Sequence, residues 1–560
     1  MRMPMKTRLW LPLLLSGSLL AGTMTRLHMQ SAAGGSPFDF EKAWHIADSL
    51  KAEGQPREAA KQVERILKQA LQLKNNVQIV KAHLYRIALW SQYQENFETE
   101  AITSTLELSR HVSGEARPVI HMVFARLIYS YYNQRQWEIG RRQTTTEKPS
   151  EDIREWGTAN FADTIAAHYK ASLHDEAVLF AIPARQWAAI LDTSPGSPLF
   201  RPTLFDILAW EALEYFKNEE LIPGRPVSAF QSDHPALLGT PEDFNRLNLQ
   251  AMEGPSNARE AFIIFQRLSR LHSSAGNTDA LIHLTLERLE FAMTKGNFPE
   301  KDSLLSATLQ SMANKYKGQP ASAWILLRLA NYAEKAGNPA MVLNYCQEAL
   351  HVQPHPYAEF QIKNKITEIK ETTLSINCEP AVYTSTPALL SLSWKNADKA
   401  WFRIYRYAEN EKNNPGNTSQ EQMRNFLLKN KPVYTAESDL PDPGDYKPHT
   451  TEWIIPPLDN GFYLIAASQG NTFDPALERI ATTTLRVSSL NMAVQNLPDG
   501  RLRLLAADRK TGHPLTQATA NLYALHYNYR HRTWENRLIQ QTYTRNPRDG
   551  ILFSLHGTLL

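Results

Sequence analysis

The spacing of apolar residues changes once along this chain of 560 residues, and the change divides the predicted fold into two halves. Before it, apolar residues recur every three or four positions, as in EKAWHIADSL (41–50) and AAKQVERILKQAL (59–71), which is the period of an amphipathic helix. After it, short runs rich in aromatic and β-branched residues alternate with turn sequences, which is typical of strands. We therefore predict a multidomain protein with a signal peptide and leader over 1–33, an all-α domain over 38–372, an all-β domain over 374–487 and a second all-β domain over 488–560.

The helical half has the features of a tetratricopeptide-like repeat. Its breaks are short and polar, centred on Gly54, Gly114, Gly296 and Gly337, and helical hairpins in series with a period of about 34 residues are typical of that repeat. The middle of the region, 100–300, is less regular, so we expect a degenerate array. The packing positions predicted around Gly54 and Gly337 are Ile46, Ala47, Leu50, Ala59, Val63, Ile66, Leu326, Leu329, Ala330, Val342, Cys346 and Ala349.

The β half is predicted to form immunoglobulin-like sandwiches, because many short strands separated by turns are typical of them. The last domain shows fewer strand signals than the seven or so of a complete sandwich, so we expect it to be incomplete. The predicted strands are 388–394, 399–407, 450–456, 461–468, 482–490, 501–508, 518–527 and 538–543.

The chain has only two cysteines, which excludes a disulfide framework and leaves a single Cys346–Cys378 bridge open. Cys346 lies in NYCQEAL (344–350), beside an amide and an acid. The repeat register places it between two helices, where a thiol acts as a small apolar group and burial makes it inert. We therefore expect Cys346 to be a core residue.

The N-terminus has the pattern of a secretory signal. Arg2, Lys6 and Arg8 precede an apolar run over 9–20, which is too short for a comfortable membrane span. LLAGT (19–23) resembles a bacterial lipoprotein signal, but Thr23 stands where that signal has its lipidated cysteine. We expect cleavage near Gly22 or Ala32-Ala33, and an exported product with no transmembrane segment and no lipid.

Composition and motifs argue against several functions. The formal net charge of +3 is too small for the clustered basic surface of a nucleic-acid-binding protein. Searching for catalytic motifs finds no paired nucleophile and base, no Walker loop and no zinc-protease motif, so we expect neither an enzyme nor a cofactor. His351 and His355 lack a third ligand and are interpreted as loop or helix-cap residues, without a metal. The triplet Asn417 to Ser419 fits a glycosylation site only in a glycosylating host.

The tryptophans of the helical half, Trp90, Trp137, Trp156, Trp187 and Trp210, have helical spacing. They are therefore interpreted as core residues and not as a ligand platform.

Taken with these patterns, several stretches make the chain similar to the N-terminal part of the large bacterial alpha-2-macroglobulin-like proteins, in the form found in Bacteroidetes. The most specific is LPDPGDYKPHTTEWIIPPLDNGFYLIAAS (440–468). The others are KAWHIADSLKAEGQPREAAKQV (42–63), LFRPTLFDILAWEALEYF (199–216), KAWFRIYRY (399–407) and AADRKTGHPLTQATANLY (506–523), the last with a D-R-x-T-G-x-P turn before a strand.

The resemblance implies an exported endopeptidase inhibitor of the periplasm or cell envelope, built from macroglobulin domains, with proteases as partners. Many members capture a protease through a C-x-E-Q thioester. Here CQEA (346–349) has Ala349 in place of the glutamine, so no thioester is expected, and no bait region is evident. We therefore predict the N-terminal portion of such an inhibitor. The alternative is a self-sufficient envelope scaffold that binds peptides or envelope proteins along the concave face of its helical repeats.

Overall fold

The computed structural model describes residues 7–9, 38–142, 150–194, 196–218, 234–251, 256–296, 298–408, 419–441, 443–498, 502–515, 518–528, 533–543 and 551–553. As predicted, the N-terminal half is helical and the C-terminal region consists of β-sheets. By internal packing the chain forms two compact units, Met1–Ala336 with Asn344–Ile362 and Gly337–Leu343 with Lys363–Leu560. The signal peptide and Asn417 lie outside the described residues, apart from a short strand, β1 (Thr7–Leu9).

The first unit consists mainly of antiparallel helical neighbours joined by short turns. Short 3-10 helices cover Ile153–Glu155, Ala184–Ile190, Pro235–Leu237 and Leu249–Ala251, and β1 pairs with β2 (Leu191–Thr193). The α-helices are α1 (Phe40–Ala52), α2 (Pro56–Gln72), α3 (Asn76–Trp90), α4 (Phe97–His111), α5 (Ala116–Ile139), α6 (Thr158–Ser172), α7 (Glu176–Ala181), α8 (Ser197–Phe200), α9 (Leu204–Phe216), α10 (Pro241–Asn245), α11 (Asn257–Ala275), α12 (Thr278–Lys295), α13 (Lys301–Lys315) and α14 (Ser322–Lys335). Two more, α15 (Pro339–His351) and α16 (Pro356–Lys370), contain residues of both units.

The predicted hairpin positions are buried, except that Leu50 is partly buried and Ile46 is exposed. Gly54 and Gly337 have φ of +75° and +68°, the left-handed conformation that lets a helix end in a tight turn. Ile46 was predicted to pack, yet it is 42% exposed. It lies about 100° around the helix axis from the fully buried Ala47, so the two residues face different surroundings.

The tryptophan prediction is wrong for Trp137, and Trp156 is only partly buried. Trp187 and Trp210 are buried in the core, and Trp90 is nearly so, but Trp137 is 81% exposed. Arg135, two residues earlier in α5, has a non-helical φ of −118° and ψ of 15°. The apolar face that the spacing predicts for α5 therefore no longer applies to its last turn.

The second unit contains sheets and one more helix, α17 (Gln420–Lys429), which the sequence pattern did not indicate. Its strands are β3 (Thr373–Cys378), β4 (Ala381–Val382), β5 (Ala388–Lys395), β6 (Lys399–Tyr407), β7 (Tyr434–Asp439), β8 (His449–Ile455), β9 (Gly461–Ser468), β10 (Ile480–Val487), β11 (Leu490–Asn496), β12 (Leu502–Asp508), β13 (Thr519–Asn528), β14 (Thr533–Tyr543) and β15 (Ile551–Phe553). Each predicted strand has a counterpart among them, whereas β3, β4, β7, β11 and β15 were not predicted.

Two sheets of this unit share an apolar core. One has the strand order β3-β5-β8 and the other β4-β10-β9-β6-β7. Leu390 and Leu392 of β5 and Ile404 and Ile465 from the opposite sheet are essentially fully buried in it. The other face of β6 and β9 packs with Leu427 of α17, which explains why β9 is buried on both faces.

The remaining strands form a sheet of order β11-β12-β15 and the pair β13-β14. The predicted turn lies between β12 and β13, where the Asp508 carboxylate accepts hydrogen bonds from the Thr511 N–H and hydroxyl, both at 2.8 Å. Gly512 follows with a φ of +74°. The guanidinium of Arg509 donates to the Ala381 carbonyl at 2.6 Å and fixes this turn against β4.

The two cysteines form no disulfide, so the bridge left open by the sequence is not present. Cys346 is fully buried on α15, as predicted. Cys378 is half-buried in β3, and burial raises the pKa of its thiol.

We predict that Cys346 reacts with a thiol reagent only after unfolding, because its sulfur has no exposed surface. The variants Cys378→Ser and Cys346→Ser each leave one thiol and serve as a matched pair for labelling rates on the native protein. Cys378 should react slowly, since its thiolate population is reduced. Native labelling of Cys346 at the rate of the denatured chain would contradict its burial.

Several histidines of the helical unit are held without charge by burial. Burial lowers the pKa of His83 and of His283 to about 3, and that of His168 to about 4. His121 also has a lowered pKa, and its Nδ1 lies 3.0 Å from Nδ1 of His168, so one ring donates to the other.

These shifts predict a helical unit that loses stability in mild acid. The unfolded histidines take up protons below their usual pKa of about 6.5, while the folded ones resist. Stability is therefore complete above that pH and falls with decreasing pH, by about 1.4 kcal/mol per pH unit for each buried histidine. Urea unfolding followed by helical circular dichroism measures the slope. His283→Phe should flatten it, since Phe200 and Trp210 already surround that ring at centroid distances of 5.1 and 5.4 Å; an unchanged slope would refute the assignment.

Candidate functional site

A cleft of about 610 Å³ opens in the second unit between the edge strands of the two sheets that share the core. β7 is the last strand of one sheet and β8 the last strand of the other, so each pairs on one side only among the described strands. The residues that line the cleft come from β5, β7, β8 and the segment between β7 and β8: Leu392, Trp394, Ser438, Asp439, Leu440, Pro441, Pro443, His449, Thr450, Thr451, Glu452 and Trp453.

Aromatic side chains build the inner wall of this cleft. Trp453 stacks on Phe402 of the opposite sheet with ring centroids 4.2 Å apart and planes 7° from parallel. Trp394 is 4% exposed, and its buried indole N–H has no hydrogen-bond acceptor among the described residues. A buried donor without an acceptor is costly, by roughly 1–3 kcal/mol.

The register of β8 explains why its side chains differ in environment. Trp394, Ser393 and Leu392 of β5 stand opposite His449, Thr450 and Thr451 of β8. Thr451 is on the same face as Leu392 and Trp453, yet it is exposed, because the cleft lies above it.

A turn before β8 fixes one end of the cleft. Nε2 of His449 lies 2.9 Å from an Asp445 carboxylate oxygen, and the N–H of Lys447 donates to the same oxygen at 2.9 Å. The Lys447 N–H and the His449 imidazole together lower the pKa of Asp445. The imidazole is thereby oriented at the wall of the cleft.

The charges at the cleft are acidic. Asp439 and Glu452, one from each edge strand, are exposed, and no lysine or arginine is among the lining residues. Lys399 lies 3.6 Å from Asp439 and 3.2 Å from Glu437, but 91% of the Asp439 side chain remains exposed. By strand alternation both carboxylates lie on the outer faces of their sheets, beside the cleft and not inside it.

The site residues considered from the sequence lie elsewhere and are not brought together into a metal site. His351 is exposed at the end of α15, and His355 accepts the Tyr357 N–H at 3.3 Å in front of α16, in keeping with its interpretation as a cap. Within the described part of the chain, no group of three or more histidine, cysteine, aspartate or glutamate side chains could hold a metal ion.

One buried constellation has the residue types of a catalytic dyad. Nε2 of His272 lies 2.7 Å from Asp206, and the Thr203 hydroxyl donates to the other oxygen of that carboxylate at 2.7 Å. Asp206 and His272 are at most 1% exposed, so no substrate reaches them. The network joins α9 to α11 and caps α9, and we interpret it as structural.

Comparisons with known proteins add little. No protein-family model and no curated protein sequence matches the chain. Among solved structures, the chain is similar to native alpha-2-macroglobulin from Escherichia coli, in a crystal structure spanning domains MG0-NIE-MG1, at 13% sequence identity and a TM-score of 0.20. The match covers 32% of this chain and 57% of that one, and a likeness of this size carries no conclusion about fold or function.

The sequence did not predict the cleft, although most of its lining residues lie in a stretch that the sequence analysis singled out. Most of its lining lies within 440–468, the stretch on which the resemblance to macroglobulin-like proteins mainly rests. The available signal was the alternation in HTTEW (449–453), where the face expected to be apolar carries His449 and Thr451.

We predict that Trp453→Ala destabilises the second unit by about 2–4 kcal/mol, because it removes the stack on Phe402 and leaves a cavity. Ile454→Ala, one residue further on the opposite face, is the control. Ile454 is 64% exposed, so its truncation should change the free energy of unfolding by less than about 0.5 kcal/mol. Equal effects in denaturant titrations would contradict the packing of Trp453 against the opposite sheet.

Proposed function

We propose that this chain is an exported, non-enzymatic binding protein of the alpha-2-macroglobulin-like kind, and that its cleft takes an extended segment of another polypeptide. The observation that carries the proposal is the pair of open strand edges that border the cleft. An unpaired edge offers a row of backbone donors and acceptors, and an extended peptide satisfies them by adding a strand.

The walls of the cleft suit a polypeptide better than a small metabolite. The cleft is lined by tryptophan, threonine and proline residues of the strands and of the segment between β7 and β8. Such a site contacts alternate side chains of an extended segment, since successive residues point to opposite faces. No helix among the described residues is long and apolar enough to cross a membrane, and a membrane-spanning role is not part of this proposal.

The family part of the proposal rests on the sequence stretches that resemble bacterial alpha-2-macroglobulin-like proteins, with endopeptidases or envelope proteins as partners in the periplasm or cell envelope. The absence of covalent capture rests on Ala349, which replaces the acyl donor of a thioester, and on the burial of Cys346. The absence of catalysis rests on the sequence, which shows no nucleophile spaced with a base. A denaturant-stable adduct with an endopeptidase on a gel would contradict this part.

The cleft is tested with a fluorescein-labelled decapeptide of alternating threonine and valine, with a central glutamine and a solubilising tail. We expect saturable binding to the full chain by fluorescence anisotropy. Thr451→Trp fills the cleft and should weaken binding by about tenfold or more, equivalent to ~1.4 kcal/mol.

The control for this experiment is Ile454→Trp, which adds the same ring on the opposite face of β8, outside the cleft. It should leave the affinity unchanged. Binding that survives Thr451→Trp places the peptide elsewhere, as the alternative of binding along the helical repeats requires. If the decapeptide does not bind at all, the proposed function of the cleft is wrong.

A further inference from the structure

We infer that the imidazoles of His121 and His168 together hold a divalent transition-metal ion, copper(II) most tightly, at the contact between helices α5 and α6. The juxtaposition that carries this inference is the approach of the two Nδ1 atoms to 3.0 Å on side chains that are only partly buried. The pair lies in the helical unit and the cleft lies in the second unit, so the inference does not depend on the proposed function.

Two packed helices and a buried aromatic ring hold the two imidazoles in place. His121 lies in α5 and His168 in α6, so neither ring belongs to a loop. The ring of Phe124, about one turn after His121, contacts the His168 ring at a centroid distance of 4.3 Å. Phe124 is itself 2% exposed and fixed in the core. The pair is therefore arranged before a ligand binds, which reduces the entropy that binding costs.

The separation of the two nitrogens suits a single ion. Bonds of about 2.0–2.1 Å from each imidazole nitrogen, with 3.0 Å between the nitrogens, give an angle at the ion of roughly 90–100°. Neighbouring ligands of a square-planar complex make such an angle, and that geometry is typical of copper(II) and nickel(II) with nitrogen and oxygen ligands. Copper(II) forms the more stable complexes of the two, so we expect it to bind more tightly.

The orientation of the rings is compatible with a shared ion. Their centroids are 4.9 Å apart and their planes are inclined by 56°. Two imidazoles that pointed their Nδ1 atoms head-on at the same nitrogen separation would have their centroids further apart, because that distance would include both ring radii. The lone-pair directions are therefore inclined to the line between the nitrogens, and small rotations of the side chains bring them to one point.

The pair needs no net loss of protons to bind a metal ion at neutral pH. Burial lowers the pKa of both histidines, that of His168 to about 4, so both rings are neutral. The ring that donates in the hydrogen bond carries its proton on Nε2 when the ion is bound, and both Nδ1 lone pairs are then available. Two protein ligands leave coordination positions open, and water fills them because both side chains keep some exposed surface.

The experiment titrates copper(II) chloride into the full chain, purified without a histidine tag, at neutral pH with glycine as a weak competitor. We expect one tightly bound equivalent whose electron paramagnetic resonance spectrum shows two ring nitrogens as ligands. His121→Gln and His168→Gln should each weaken binding by about tenfold or more, since even the loss of a contact that only supports a ligand costs that much. His174→Gln is the matched control and should leave the affinity unchanged, because that exposed histidine pairs with Asp175 at 3.1 Å and not with an imidazole.

Two further measurements leave both histidines in place, so they decide the question even if a histidine variant does not fold. The charge of the exposed Arg117 adds to burial in lowering the pKa of His121 and therefore also opposes a cation bound there. Arg117→Gln should strengthen copper binding by about twofold or more at low salt. Bound copper should also protect His121 and His168, but not His174, from modification by diethylpyrocarbonate, as measured by mass spectrometry.

Three results would overturn the inference. They are a spectrum with fewer than two ring nitrogens, an affinity for copper that both histidine variants retain, and modification of His121 and His168 at the metal-free rate when copper is bound. Each would show that the contact between the two rings is only a structural hydrogen bond between α5 and α6.

Discussion

The candidate site depends on the packing between two sheets of the second unit, whose apolar faces form a shared core. Leu390, Ile404 and Ile465 are fully buried between them, and each such side chain contributes roughly 1.5–3 kcal/mol relative to exposure. The stack of Trp453 on Phe402 extends this core toward the edge strands. Without it, β7 and β8 would have no fixed separation, and no cleft would exist between them.

Open strand edges favour unwanted pairing with other chains, and the structure opposes that pairing only in part. A row of unpaired backbone groups beside exposed apolar side chains such as Ile454 invites pairing with other chains. Charged residues on both edges, Glu437 and Asp439 on β7 and Glu452 on β8, oppose indiscriminate pairing.

The local sequence pattern predicted which strands form better than it predicted which side chains are exposed. Alternation and β-branched content predicted β5, β6 and β9 over almost the same residues as observed. Helix α17 was missed because its apolar residues are few and it lies between strands. The exposure of Trp137 depends on a local departure from helical geometry at Arg135, which residue spacing does not encode.

The sequence by itself determined that a helical half precedes a β half, that Cys346 lies in a helix core, and that CQEA lacks the glutamine of a thioester. These are consequences of periodicity and residue identity, which act over a few positions. Only the tertiary structure decided that β7 and β8 become facing edges, and that Trp394, Leu440 and Trp453 line one cleft. Their meeting depends on strand order and on packing between sheets, and both are set by contacts between residues far apart in the chain.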